Sequence, residues 1–177
     1  EIRDSIDAGA KEIDIVITRA HVFSKNWQVL YDEISAFREA SGTAHLKTIL
    51  GTGELGTFRN VAKASLVCMM AGADFIKTST GKEGVNATLT VSLVMLRMIR
   101  EYLENTGYSV GFKPAGGIRT ARQSLEWLIM MKEELGREWM EPNLFRFGAS
   151  GLLTDIERQL EHHTTGRYSA AHRQPAA

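Results

Sequence analysis

Five short runs with strand character recur along this chain at a near-constant interval, and that rhythm limits the fold more than any other feature. They are EIDIVIT at 12–18, HLKTIL at 45–50, DFIKTS at 74–79, SVGFKP at 109–114 and LFRFGA at 144–149. Each is β-branched or aromatic and runs into polar or glycine-rich residues. Their centres lie about 33 residues apart, the size of a βα unit. Between them run apolar stripes at three-and-four spacing: Trp27, Leu30, Tyr31, Ile34 and Phe37; Phe58, Val61, Ala62, Leu66 and Met69; Leu89, Leu93, Leu96, Ile99 and Leu103; Leu125, Leu128, Met131 and Leu135; Leu153, Ile156 and Leu160. That spacing predicts helices with one buried face, the third capped at Asn86. Strand and helix in alternation predict a parallel α/β sheet.

Two architectures satisfy this pattern: an open five-stranded sheet, or a (β/α)8 barrel of which only the last five modules are present. Eight such modules need roughly 260 residues, close to the ~250 of a complete barrel, whereas this chain has 177. It begins at Glu1 inside a helix-like stretch, as a piece of a longer protein does. The repeating unit ends near residue 163, giving a domain over 1–163, and 164–177 reads as a polar, mobile tail.

Composition narrows the partners. Lys plus Arg and Asp plus Glu are 21 each, so the formal net charge is zero. That balance argues against general nucleic-acid or anionic-membrane binding. No apolar run approaches the ~20 residues that span a bilayer. The one cysteine, Cys68, reads as a packed thiol and fits a reducing, cytoplasmic compartment. The five histidines lack metal-ligand spacing, so no metal is expected.

The strands place charge opposite their apolar faces. Alternation sets Ile13, Ile15 and Ile17 against Glu12, Asp14 and Thr18, aligns Lys77 with Phe75 and Ser79, and opposes Lys113 to Val110 and Phe112. At a barrel's C-terminal mouth such groups would converge on one site; at ordinary strand ends they would simply reach solvent. Lys47, mid-strand, stays open between an interior and an exposed position. Three loops follow strands and look built for an anion: STGKEG at 79–84, PAGGIR at 114–119 and FGASG at 147–151. Glycine lets backbone amides approach a phosphate, or merely serves a tight turn. GTGELG at 51–56 matches a dinucleotide-binding pattern after a strand and before a helix. Its acidic partner would be Asp74, which opens the next strand instead of ending it.

EIDIVI, LKTILGTGEL, GADFIKTSTGK, VGFKPAGGIRT and FRFGAS together resemble the deoxyribose-phosphate aldolases, class I Schiff-base enzymes, over about residues 5–160. The resemblance implies a (β/α)8 barrel lacking three N-terminal modules. It implies reversible cleavage of 2-deoxy-D-ribose 5-phosphate to D-glyceraldehyde 3-phosphate and acetaldehyde, with no cofactor and a phosphosugar as the only ligand. By the same token, Lys77 forms the imine, Lys113 is the second lysine that favours the neutral amine, and Asp14 is the acid–base carboxylate. Gly81, Lys82, Gly116, Gly117, Gly148 and Ser150 would cradle the phosphate. Gly151 departs from the second serine common in the family, and Tyr168 cannot be equated with the C-terminal tyrosine of some members. Homo-oligomers are common in the family. Two alternatives stand beside the enzyme: an inactive barrel fragment that serves only as an interaction module, and a dinucleotide-binding α/β domain using GTGELG.

Overall fold

The computed structural model describes residues 1–170. The elements, in order, are α1 (Ile2–Asp7), β1 (Glu12–Val16), α2 (Arg19–Phe23), α3 (Trp27–Ser41), β2 (His45–Ile49), α4 (Phe58–Met70), β3 (Phe75–Lys77), α5 (Leu89–Thr106), β4 (Gly111–Lys113), α6 (Ala121–Leu135) and α7 (Leu152–Thr165). A 3₁₀ turn, Arg137–Met140, follows α6. The α7 helix runs two residues into the expected tail, and residues 171–177 of that tail lie outside the described residues.

All named strands are parallel and stand in sequence order, β1-β2-β3-β4. A doubly wound sheet reverses its order at a switch point; here each strand simply joins the next, as in one sector of a barrel. The fold is a parallel α/β arrangement of the (β/α)8 type, present in part.

The fifth strand is reduced to two parallel bridges, Phe112 with Phe145 and Ala115 with Gly148. Its amides still find partners: Phe112 N–H donates to Leu144, Arg146 N–H to Phe112 and Gly148 N–H to Pro114. Pro114 has no N–H to return, so the ladder breaks between the bridges.

Register separates the two faces. Ile76 lies beside Thr48 and Phe112, and Ile13 beside Leu46. These apolar residues join Leu30, Ile34, Val61, Met95, Ile99, Trp127 and Met131 of the helices in one buried core. Cys68 is buried there, and desolvation pushes its thiol up to about 12. Side-chain oxygens of Thr57, Thr88 and Thr120 cap α4, α5 and α6, as the N-cap position favours. The expected cap at Asn86 is replaced by Thr88, because Asn86 stays in the preceding loop and donates from Nδ2 to the Glu83 carbonyl. No helix among the described residues is long and apolar enough to cross a membrane.

Candidate active site

The face opposite the core carries a compact charge cluster. Asp14 lies beside Lys47 in register, and Lys77 lies beside Lys113 at the C-terminal ends of β3 and β4. All three lysines reach Asp14. Lys77 and Lys113 both donate to Oδ2, at 2.7 and 2.8 Å, and Lys47 Nζ lies 3.3 Å from Oδ1. Lys77 is buried, with 11% of its side chain exposed against 18% for Lys113 and 27% for Asp14.

Burial raises the Asp14 carboxyl, but the hydrogen bonds from Lys113 and Lys77 outweigh it and hold the group at about 2. Burial also acts first on Lys113. It pushes the amine below the ordinary lysine range despite the bond to Asp14, and repulsion from Lys77 and Lys47 adds to it. Sequence reasoning brought Asp14, Lys77 and Lys113 together, and they meet on one oxygen.

Three members of the cluster went unassigned from sequence. Lys47 is almost fully buried and bonds Glu12 at 2.7 Å. Arg146 grips the same carboxylate through two nitrogens, at 3.0 and 3.2 Å, and its guanidinium stands over the Phe75 ring. The Lys47 bond, with Arg146 adding, outweighs burial and holds Glu12 below its usual range. Arg146 could have been found from the alternation in LFRFGA, which sets it opposite the flanking phenylalanines. Close packing on this face has a local cause as well: at Gly111 a Cβ would lie 2.4 Å from the Phe75 ring.

The expected phosphate loops are neighbours, but their amides are unequally available. Gly81 and Gly116 both have positive φ, and a Cβ on Gly81 would lie 3.7 Å from Gly116 Cα. Gly116 N–H donates to Gly148 and Gly148 N–H to Pro114, so both are engaged within the sheet. The Gly81 and Lys82 amides are engaged by Glu83. Among the described residues, the amides of Gly117 and of Ser150 and Gly151, which lead into α7, donate no backbone hydrogen bond. The loop 79–84 is tied to the rest through Ser79 Oγ, which donates to Ala115 at 2.5 Å.

The GTGELG loop is built differently. A Cβ on Gly53 would lie 2.1 Å from the Val85 carbonyl, so this glycine serves packing of one loop on another. Asp74 accepts from Arg38 and from Leu46 N–H at the opposite end of the sheet, far from a ligand at the strands' C-terminal ends. No group of three His, Cys, Asp or Glu among the described residues is arranged to hold a metal.

The family model for DeoC/LacD family aldolases matches residues 1–153. The chain belongs to the DeoC/LacD family. It is 65% identical to the deoxyribose-phosphate aldolase of Mus musculus and 63% identical to that of Homo sapiens, in each case over 99% of this chain and 55% of the relative. The chain thus spans about half the length of the curated relatives it matches. The deoxyribose phosphate aldolase of Aeropyrum pernix, solved as a tetramer, superposes with a TM-score of 0.67 at 20% identity, covering 94% of this chain and 60% of that one. This DeoC/LacD family chain therefore shares that fold.

Proposed function

We propose that this chain carries the Schiff-base centre of an aldolase that cleaves 2-deoxy-D-ribose 5-phosphate to D-glyceraldehyde 3-phosphate and acetaldehyde. The observation that carries the proposal is the convergence of Lys77 and Lys113 on a single oxygen of Asp14. Breaking a bond next to a carbonyl carbon needs an electron sink, and an iminium ion supplies one. Neutral Lys77 adds to the aldehyde carbon of the open-chain sugar, and loss of water gives the iminium. The C2–C3 pair then flows into it as the C3 hydroxyl gives up its proton, releasing glyceraldehyde 3-phosphate. Protonation of the enamine and hydrolysis free acetaldehyde and restore the lysine.

The surroundings suit those steps. Lys113, an ammonium depressed mainly by burial, can give a proton to the hydroxyl that leaves as water when the iminium forms. Asp14 starts as a carboxylate and serves proton transfer at the C3 hydroxyl, directly or through one water. Gly117, Ser150 and the first turn of α7, together with Lys82, would receive the 5-phosphate. A helix N-terminus favours an anion there, and a held phosphate fixes the sugar's register.

In this proposal the enzyme acts in the cytoplasm in carbohydrate degradation and deoxynucleotide catabolism, and assembles as a homo-oligomer. Residues 1–163 form the barrel part. The test is deoxyribose 5-phosphate cleavage, read as glyceraldehyde 3-phosphate release from the full-length protein. Lys77→Leu is expected to lower kcat/KM by more than about 10³-fold. Asp14 keeps Lys47 and Lys113 as partners, so the variant should remain folded. Activity within tenfold of the parent would reject the proposal.

A further inference from the structure

The loop after β3 already holds an anion. Glu83 turns back on its own loop, and its carboxylate accepts from the Thr80 amide at 2.9 and 3.0 Å. Oε2 also accepts from Thr80 Oγ1 at 2.8 Å, from Gly81 N–H at 3.1 Å and from Lys82 N–H at 3.2 Å. Gly81, at φ +95°, lets consecutive amides point to one side, the arrangement that makes a backbone nest for anions. Burial opposes the charge on Glu83, yet the Thr80 and Gly81 donors outweigh it and hold the carboxyl below its usual range.

The nest is anchored beside the rest of the cradle. Asn86 Nδ2 donates to the Glu83 carbonyl at 2.7 Å. The Asn86 side chain is wedged against Gly116, where a Cβ would lie 2.6 Å from Asn86 Cγ. Thr80, Gly81 and Lys82 are exposed and Glu83 is half-buried, so a ligand can reach these donors. The Lys82 ammonium makes no ion pair among the described residues.

We propose that Glu83 is a built-in competitor for the substrate's phosphate, occupying the Thr80–Lys82 amides until a phosphate displaces it. The inference rests on the loop belonging to the phosphate site. Exchange of one anion for another leaves no donor unsatisfied, so the swap avoids the desolvation penalty of a bare nest. A phosphate brings more charge and more acceptor oxygens than a carboxylate. The carboxylate, however, is tethered, and a short tether gives an effective concentration in the millimolar range. Competition on those terms weakens phosphate binding and lets the phosphorylated product leave as Glu83 returns.

The experiment compares kcat/KM for 2-deoxyribose 5-phosphate with kcat/KM for unphosphorylated 2-deoxyribose in the full-length protein. Glu83→Gln keeps the shape of the loop and removes the charge; Glu83→Ala empties the nest. Both are expected to raise the phosphorylated-to-unphosphorylated ratio, by about tenfold for the alanine variant if the tethered anion is worth about 1.4 kcal/mol. Inorganic phosphate should inhibit them at correspondingly lower concentration. A ratio that falls in both variants would make Glu83 a brace that shapes the nest for phosphate, and would overturn the proposal. Lys82→Ala separates this inference from the reading beneath it. If Lys82→Ala lowers the ratio while both Glu83 variants leave it unchanged, the loop binds phosphate and the competition is wrong. If none of the three moves it, the loop lies outside the phosphate site and both fall.

Discussion

The two faces of the same four strands obey opposite rules. On the helix side, Ile13, Leu46, Ile76 and Phe112 are buried in a continuous apolar core. On the other side, Glu12, Asp14, Lys47, Lys77 and Lys113, joined by Arg146 from the reduced fifth strand, form one chain of ion pairs. One face gains stability from close packing. The other holds four cations on two carboxylates, in surroundings where burial works against each charge. The contrast separates what holds this sector together from what it can do. Mutations on the first face should cost folding free energy and spare the chemistry; on the second they should cost the chemistry more than the fold.

The largest effect on folding should come from the helix face. Ile76 is fully buried, and Ile76→Ala should cost about 2–5 kcal/mol through lost burial and a residual cavity. Urea unfolding measures the cost, while kcat per folded molecule should fall by far less than the ~10²-fold of a site misplaced by ~1 Å, since Ile76 faces away from the lysines. A loss of kcat larger than the loss of stability would show that the faces are not separable.

Lys47 crosses the boundary, since it is as buried as the core and bonded only to the site. Lys47→Met leaves Glu12 with Arg146 and Asp14 with two lysines. Removing one partner of a fully buried pair costs about 3–5 kcal/mol, but both carboxylates are a quarter to a third exposed. The expected cost is therefore about 2–3 kcal/mol, seen as a lower denaturation midpoint. Its companion sign is a Glu12 carboxyl that moves back up toward its ordinary value, followed by carbonyl-carbon NMR. No change in either would mean that the bonds to Glu12 and Asp14 add nothing beyond the contact of Lys47 Nζ with the Phe75 ring, 5.9 Å from its centroid.

The smallest effect is in acid. Asp14 is depressed from 3.8 to about 2 in the folded protein. A depressed carboxyl binds fewer protons folded than unfolded, so its contribution is complete above about pH 4 and is lost as pH falls toward 2. After discounting for its exposure this is about 1–2 kcal/mol. Asp14→Asn should flatten that part of the stability–pH curve, and a difference curve that is level between pH 4 and pH 2 would remove the assigned interaction.

Much of this was legible in the sequence because the period-2 alternation is local. EIDIVIT, DFIKTS and SVGFKP each display which residue faces which way, which sets Asp14, Lys77 and Lys113 opposite the apolar faces. Alternation alone left open whether they converge or reach solvent, and the family resemblance selected them as one site. The ladder break at Pro114 was also present, as a residue that cannot donate. Lys47 was not assignable, because a single lysine mid-strand reads equally as interior or solvent-facing until its partners, 33 and 35 residues away, are placed. Glu83 was missed for another reason. STGKEG was read as a loop awaiting an anion, while Thr80 followed three positions later by Glu83 is the spacing by which a threonine and a glutamate satisfy neighbouring amides.

Lys77, which shares its face with Phe75 at the end of β3, is the proposed nucleophile. Full-length protein incubated with acetaldehyde and reduced with borohydride should acquire one ethyl group, and peptide mass mapping reads where it sits. The label is expected on Lys77, with Asp14→Asn slowing its appearance. Label on Lys113 or Lys47, and none on Lys77, would contradict it.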